Sequence, residues 1–382
     1  MKLASKSKLK VITIVGTRPE LIRLSRVIAR LESSLEHILV HTGQNYDYEL
    51  NEIFFKEMKI SQPKYFLNIK TASLGQIIGE IIIKIEPILI KERPDAVLIL
   101  GDTNSSISSI IVKRLKIPIY HMEAGNRSFD LNVPEEINRK IVDHIADFNL
   151  VYTENSRNHL LAEGLPHRRI YLTGSPMNEV LAYYKKEINN SNVLNRLSVE
   201  KNKFFIVSMH REENVDNKHN LRLIVKLLNH LAEKYNLPVI VSMHPRTNKN
   251  LNSLGKNLKL KNNVKFKKPF GFFDYVNLQK NALCVISDSG TICEESAIMG
   301  FPAITFRNSM ERPEALDAGS IIITGFDIDI IMTSIDIIIN QINDGHTEKS
   351  IPQDYLIKDT SRRVLNLIVV TSRLSNKWHG IL

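Results

Sequence analysis

The feature that most constrains this chain is an alternation. Short uninterrupted apolar runs are separated by stretches whose apolar residues recur every three or four positions. Residues 10–15 (Lys-Val-Ile-Thr-Ile-Val) form the first run, and 19–31 then puts Leu21, Leu24, Ile28 and Leu31 on one helical face. The rhythm continues with strands at 37–40, 96–100, 118–121 and 150–153, and helices at 48–58, 76–91, 105–115 and 135–146. Strands covered on both faces read as continuous apolar runs. The pattern therefore predicts an α/β fold, with a parallel sheet and helices on both sides.

Near Gly174-Ser175-Pro176 the rhythm pauses, and 185–203 is polar and rich in Asn. A second set then opens, with strands at 204–207, 239–242, 283–287, 303–306 and 321–324 and helices at 221–231, 272–281 and 291–299. At roughly 150 residues per domain, a chain of 382 residues has room for two. The expectation is two doubly wound Rossmann-like domains facing a cleft. The first spans 1–180 and the second 181–358. The segment 359–382 carries a last helix, at 361–374, that packs back on the first domain. Ligands of such sheets bind beyond the carboxyl ends of the strands, beside helix N-termini.

Charge and cysteine content narrow the class. Lys and Arg exceed Asp and Glu by ten, which favours anionic partners. The excess gathers at the N-terminus and at 256–268, and for the second stretch a simple bias toward solvated lysines is the preferred reading. Aromatic residues make up only 7% and do not interleave with basic ones, so nucleic-acid binding is not expected. Cys284 and Cys293 are too few for a disulfide framework and have no metal-ligand spacing, which suits a reducing, cytoplasmic setting. The apolar run at 11–15 is too short for a signal peptide, and charges interrupt every longer apolar stretch, so no membrane insertion is expected.

The strand ends carry the chemistry. Gly16-Thr17-Arg18-Pro19-Glu20 follows the first strand, and Arg18 stands at a helix start, where it either meets a phosphate or pairs with Glu20. Asp102, Glu123 and Glu135 are carboxylates at successive loop positions on one sheet edge. Singly, Asp102 reads as a helix N-cap and Glu135 as a helix-start acid. Together they can supply an acid and a base. In the second half His210-Arg211 and His244-Pro245-Arg246 stand at strand ends. Asp288-Ser289-Gly290-Thr291 opens a helix bearing Glu294 and Glu295, which suits a diphosphate and a ribose. Arg312 follows in Glu311-Arg312-Pro313-Glu314. No GxGxxG or Walker loop is present.

These motifs occur in a recognisable order: Gly16-Thr17-Arg18-Pro19-Glu20, Gly101-Asp102-Thr103, Glu123-Ala124-Gly125, Pro134-Glu135-Glu136-Ile137-Asn138-Arg139, His210-Arg211-Glu212, Asp288-Ser289-Gly290 and Glu311-Arg312-Pro313-Glu314. Over about 10–375 the chain resembles the UDP-N-acetylglucosamine 2-epimerase family. The resemblance implies a glycosyltransferase-B-like fold and a homodimer. The stretch from His121 to Asp130, together with 133–140, Asp143-His144 and 271–276, looks like the branch that makes UDP-N-acetyl-L-fucosamine from UDP-2-acetamido-2,6-dideoxy-L-talose for surface polysaccharide. A shorter loop between Glu123 and Glu135, Asn126 in place of the usual Leu, and Arg23 in place of the usual Lys separate it from the plain UDP-N-acetylglucosamine enzymes.

The chemistry implied by the resemblance explains the residue types. The C2 hydrogen of a 2-acetamido sugar is not flanked by a carbonyl and is weakly acidic. Breaking the C1–O bond to UDP makes C1 cationic and acidifies C2–H, so the sugar passes through a 2-acetamidoglycal and is re-protonated on the other face. The implied assignment gives C2 proton transfer to Asp102 and Glu123, charge stabilisation to Glu135, and a catalytic role at the diphosphate to His210. Arg18, Arg23, Arg211, Ser289, Gly290, Glu295 and Arg312 bind the UDP-sugar. The scheme calls for no metal and no cofactor. The rival readings are a UDP-N-acetylglucosamine 2-epimerase, reversible or hydrolysing, and a retaining glycosyltransferase on the same fold.

Overall fold

Thirteen strands form in two parallel sheets in the computed structural model, which describes residues 8–43, 54–69, 73–209, 218–243, 260–345 and 350–381. The first sheet has seven strands: β1 (Lys10–Val15), β2 (Glu36–His41), β3 (Tyr65–Phe66), β4 (Ala96–Leu100), β5 (Ile119–Ala124), β6 (Phe148–Val151) and β7 (Ile170–Leu172). Their order is β3-β2-β1-β4-β5-β6-β7, so the winding reverses between β1 and β4. The second sheet holds β8 (Phe205–Met209), β9 (Val239–Met243), β10 (Val264–Lys267), β11 (Cys284–Ser287), β12 (Ala303–Thr305) and β13 (Ile322–Ile323). Its order is β10-β9-β8-β11-β12-β13, the same winding.

The two sheets belong to two compact units. One comprises 1–182 together with 353–382, and the other 183–352. In the first, Ile12, Ile14, Val97 and Ile99 of the central strands meet Ile81, Ile85 and Leu89 of helix Leu74–Glu92. In the second, Val207, Val241 and Ile286 meet Leu221, Ile224 and Leu228 of helix Lys218–Tyr235. Each such side chain stabilises the fold by about 1.5–3 kcal/mol through burial.

The central strands lie where the apolar runs predict them. The edge strands β3, β7 and β10 were not anticipated. Two are only two and three residues long, and β10, Val-Lys-Phe-Lys, falls inside the basic 256–268 stretch. An edge strand alternates or shortens because one flank lacks a partner. Two further helices, Glu154–Ala162 and Ile328–Asn343, were also not anticipated. The polar stretch 185–203 contains two short helices, Lys185–Asn189 and Val193–Leu197. Ser191 Oγ bonds Asp274 at 2.5 Å and Asn277 bonds the Ile188 carbonyl at 2.8 Å, which fastens this stretch to helix Phe272–Asn281.

Helix Thr360–Thr371 packs on helix Arg18–Ser34 of the first unit. Thr360 Oγ1 donates to the Thr173 and Ser175 carbonyls, each at 3.1 Å, and Thr371 meets the buried Tyr120 hydroxyl at 2.6 Å. No helix among the described residues is long and apolar enough to cross a membrane.

Candidate active site

The switch point of the first sheet is built from three corners. After β1 the chain turns at Gly16, where a Cβ would lie 2.7 Å from Thr42 Oγ1, so only glycine fits. Thr17 is the N-cap and Glu20 the third helical residue, and the Glu20 carboxylate returns to the Gly16 and Thr17 amides. Its other oxygen accepts from Thr103 Oγ1 at 2.6 Å and Ser105 Oγ at 3.0 Å. This one buried side chain therefore ties the corner after β1 to the corner after β4. Burial pushes the Glu20 carboxyl up, while the four donors favour its anion. Arg18 does not pair with Glu20. Its guanidinium lies 3.6 Å over the Phe54 ring, and burial lowers it to about 10, opposed by the charge of Glu57.

Glu123 stands at the end of β5, where the register with β6 shifts between Met122 and Ala124. Its φ is +67°, a left-handed backbone that costs a non-glycine residue on the order of 1–2 kcal/mol. The side chain is 7% exposed and ion-paired with Arg23 of helix Arg18–Ser34. Its Oε2 lies 3.8 Å from where a Cβ on Gly101 would stand, so the carboxylate faces the glycine just before Asp102. Leu100 and Met122 are register partners, which makes the Asp102 and Glu123 positions neighbours across β4 and β5.

Asp102 is held from a different helix. Arg139 of helix Pro134–Ile145 reaches Asp102 Oδ2 with Nε at 2.7 Å and Nη2 at 2.6 Å, and Asn138 Nδ2 donates to the Asp102 carbonyl at 2.8 Å. Arg139 also bonds Glu136 at 2.9 Å, and Glu136 accepts from the Ser128 amide and hydroxyl at 3.0 Å each. Burial opposes the Glu136 anion, but Ser128 and Arg139 outweigh it and hold the carboxyl below its usual range. The adjacent Glu135 is exposed on the first turn of that helix. The structure thus brings Asp102, Glu123 and Arg23 to one corner and leaves Glu135 exposed on the helix that carries Arg139.

In the second unit the loop after β11 is braced from below. Tyr275 donates to Ser208 Oγ at 2.8 Å, Ser208 meets Ser287 at 2.8 Å, and Ser287 Oγ accepts from the Ser289 amide at 3.1 Å. Burial pushes the Tyr275 hydroxyl up, so it stays a donor at neutral pH. Arg312 Nη1 donates to the Gly290 carbonyl at 3.2 Å and lies 3.3 Å from Glu294. Glu295, 9% exposed, accepts from Gln279 at 2.7 Å. Ser289, Gly290, Glu295 and Arg312 therefore gather around the start of helix Ile292–Met299. His210, Arg211, His244 and Arg246 lie outside the described residues.

Sequence reasoning gave Glu20 only the pairing with Arg18, and gave Arg139 and Glu136 no role at the site. The Thr17-to-Glu20 capping-box spacing and the i, i+3 spacing of Glu136 and Arg139 were the available signals. Among the described residues no group of three or more His, Cys, Asp or Glu side chains is arranged to hold a metal ion.

Two parallel-sheet Rossmann-like units, with carboxylates at the switch point of the first, define a doubly wound α/β protein, and comparison with known proteins narrows the class. The family described as UDP-N-acetylglucosamine 2-epimerase matches residues 29–369, and the chain belongs to that family. It is an epimerase, an isomerase by reaction class. UDP-N-acetylglucosamine 2-epimerase of Methanocaldococcus jannaschii is 38% identical over 341 residues, 87% of this chain and 93% of that one. UDP-2,3-diacetamido-2,3-dideoxy-D-glucuronate 2-epimerase of Pseudomonas aeruginosa is 33% identical over 331 residues, 85% of this chain and 91% of that one. Among solved structures, UDP-N-acetylglucosamine 2-epimerase from Rickettsia bellii superposes with a TM-score of 0.91 at 45% identity, covering 97% of this chain and 98% of that one. The Methanocaldococcus jannaschii enzyme in complex with UDP-GlcNAc and UDP gives 0.88 at 35% identity, covering 95% and 100%.

Proposed function

We propose that this epimerase inverts C2 of a UDP-activated 2-acetamido sugar, by elimination of UDP to a 2-acetamidoglycal and re-addition. The observation that carries the reading is the pair of carboxylates, Asp102 and Glu123, on neighbouring strand ends, each meeting its own arginine. One carboxylate takes the C2 proton, the C2–H electron pair becomes the C1=C2 bond, and the C1–O pair leaves with UDP. Re-addition runs the steps in reverse, with the proton delivered to the opposite face by the other carboxylate. Glu135 stabilises the positive charge that develops at C1. UDP-sugar binding is assigned to Arg18 and Arg23 in the first unit and to His210, Arg211, Ser289, Gly290, Glu295 and Arg312 in the second, with His210 acting at the diphosphate and Glu295 taking the ribose.

Within that class the substrate we favour is UDP-2-acetamido-2,6-dideoxy-L-talose, with UDP-N-acetyl-L-fucosamine as product for a surface polysaccharide. The loop joining Glu123 to the helix of Glu135 exposes Phe129 (71%) and Leu131 (72%), apolar groups suited to the C6 methyl of a 6-deoxy sugar. The second reading, UDP-N-acetylglucosamine, is favoured by the names of the relatives. Both cysteines are buried free thiols, in keeping with a reducing cytoplasm. Proton NMR in D₂O separates the substrates. Deuterium entering C2 of the talose compound alone, with the fuco isomer appearing, is the expected result. Exchange in UDP-N-acetylglucosamine alone moves the enzyme to the second reading, and exchange in neither removes the elimination scheme.

A further inference from the structure

Behind the two strand-end carboxylates lies a buried set of side chains with no role in the scheme above. His121, on β5, is fully buried. Its Nε2 lies 2.9 Å from the Gly101 carbonyl, and its Nδ1 lies 2.9 Å from Asp143 Oδ1. Asp143, equally buried, also accepts from the Gly125 amide at 3.2 Å and from Arg127 Nη1 at 2.7 Å. Arg127 is balanced in turn by Glu163, at 2.7 and 2.6 Å. One carboxylate thus grips the chain two residues before Glu123 and two residues after it. One imidazole then ties that grip to Gly101, the residue before Asp102.

The arrangement answers a need of the backbone. Glu123 has a left-handed φ of +67° and Gly125 one of +77°, and a Cβ on Gly125 would stand 2.3 Å from the Ser156 carbonyl. Glycine adopts such a φ freely, but Glu123 does not, and it keeps its conformation only when its surroundings hold it. Asp143 does so through His121 and Gly125.

We propose that the His121–Asp143 pair is a positioning device that sets the spacing of the Asp102 and Glu123 carboxylates for proton transfer at C2. The inference rests on the epimerase reading above. Neither side chain reaches solvent, so neither touches the sugar. They act through the strand ends they join. A misplacement of about 1 Å can cost on the order of 10²-fold in rate. The cost is selective. A carboxylate that still takes the first proton but stands wrongly for returning the second lets the glycal form and then escape with UDP.

Two substitutions separate the two bonds. Asparagine places its amide nitrogen near the position of Nδ1 and so keeps the contact with Asp143. Glutamine places it near Nε2 and so keeps the contact with Gly101. The substrate is the one the wild type exchanges in D₂O. Epimerisation and released glycal are followed together by NMR, and UDP binding is measured by calorimetry. With His121→Asn we expect C2 exchange to slow by about 10- to 100-fold, UDP affinity to stay within about twofold, and glycal released per epimerisation to rise. His121→Gln, which keeps the link between the strands, recovers part of both losses. If neither variant folds, Asp143→Asn, which keeps the shape and one acceptor oxygen, carries the same measurement. The proposal is overturned if glycal per epimerisation stays at the wild-type value and any rate loss matches a loss of UDP-binding protein. A wild type that exchanges C2–H in no UDP-2-acetamido sugar overturns the epimerase reading instead, and the positioning role with it.

Discussion

Glu123 pays for its place with backbone strain, and Asp102 gives part of its bonding capacity to Arg139. Both features fix a carboxylate's direction before any ligand arrives. Glu123→Gln and Asp102→Asn keep the shape of each side chain and remove its ability to move a proton. Each should lower turnover by about 10²–10⁴-fold while circular dichroism stays native. A loss under about tenfold would exclude that residue from proton transfer. A second prediction at this scale concerns acid. Burial lowers His37 and His41 to about 4, below the 6.5 of an exposed imidazole. Between pH 6.5 and 4 the unfolded chain therefore binds more protons than the folded one, and stability falls as pH falls through that window. Each histidine should cost about 3 kcal/mol by pH 4. Urea unfolding at several pH values checks this: His37→Gln should flatten the slope, and an unchanged slope would show that the ring escapes burial.

Elements show how much of this was legible. The central strands were read correctly because burial on both faces leaves a continuous apolar run, as in 96–100. Edge strands such as β3 and β7 leave no comparable trace in two or three residues. The candidate residues Asp102, Glu123 and Ser289 were visible as polar groups at strand ends. What holds them was not, because Arg139 reaches Asp102 and Arg23 reaches Glu123 across long sequence separations. Glu20 sits between these cases: its capping half is a spacing of three residues, while its bonds to Thr103 and Ser105 are tertiary. Glu20→Ala should therefore do more than fray a helix. It leaves buried donors at two corners, and we expect a loss of about 2–4 kcal/mol in chemical denaturation, together with a fall in turnover. A loss of only about 1 kcal/mol with full activity would mean that the cap alone matters.

At the scale of the molecule, the apolar residues left outside are informative. Ile83 and Ile90 on helix Leu74–Glu92, Ile110 on helix Ser109–Arg114, and Ile137 and Ile141 on helix Pro134–Ile145 are exposed by 37% to 69%. Ile83 and Ile90 are seven residues apart, and Ile137 and Ile141 four, so each pair shares a helix face. These helices pack against one another in sequence order. Exposed apolar side chains on neighbouring packed helices suit an interface, and we propose a second copy of the chain as its occupant, giving a homodimer. Sedimentation should show a dimer for the wild type and a monomer for the double variant Ile83→Lys, Ile110→Lys. A monomeric wild type would remove the proposal.

The helix Thr360–Thr371 has a consequence for how the protein is made. Its bonds to Thr173, Ser175 and Tyr120 close the first unit with chain that follows the whole of the second. During synthesis the second unit, continuous in sequence, can finish as soon as it clears the ribosome. The first unit, begun earlier, must wait with the Tyr120 side uncovered until that helix emerges. Completion of the first unit therefore waits for the last part of the chain, and its Tyr120 side stays open to aggregation until then.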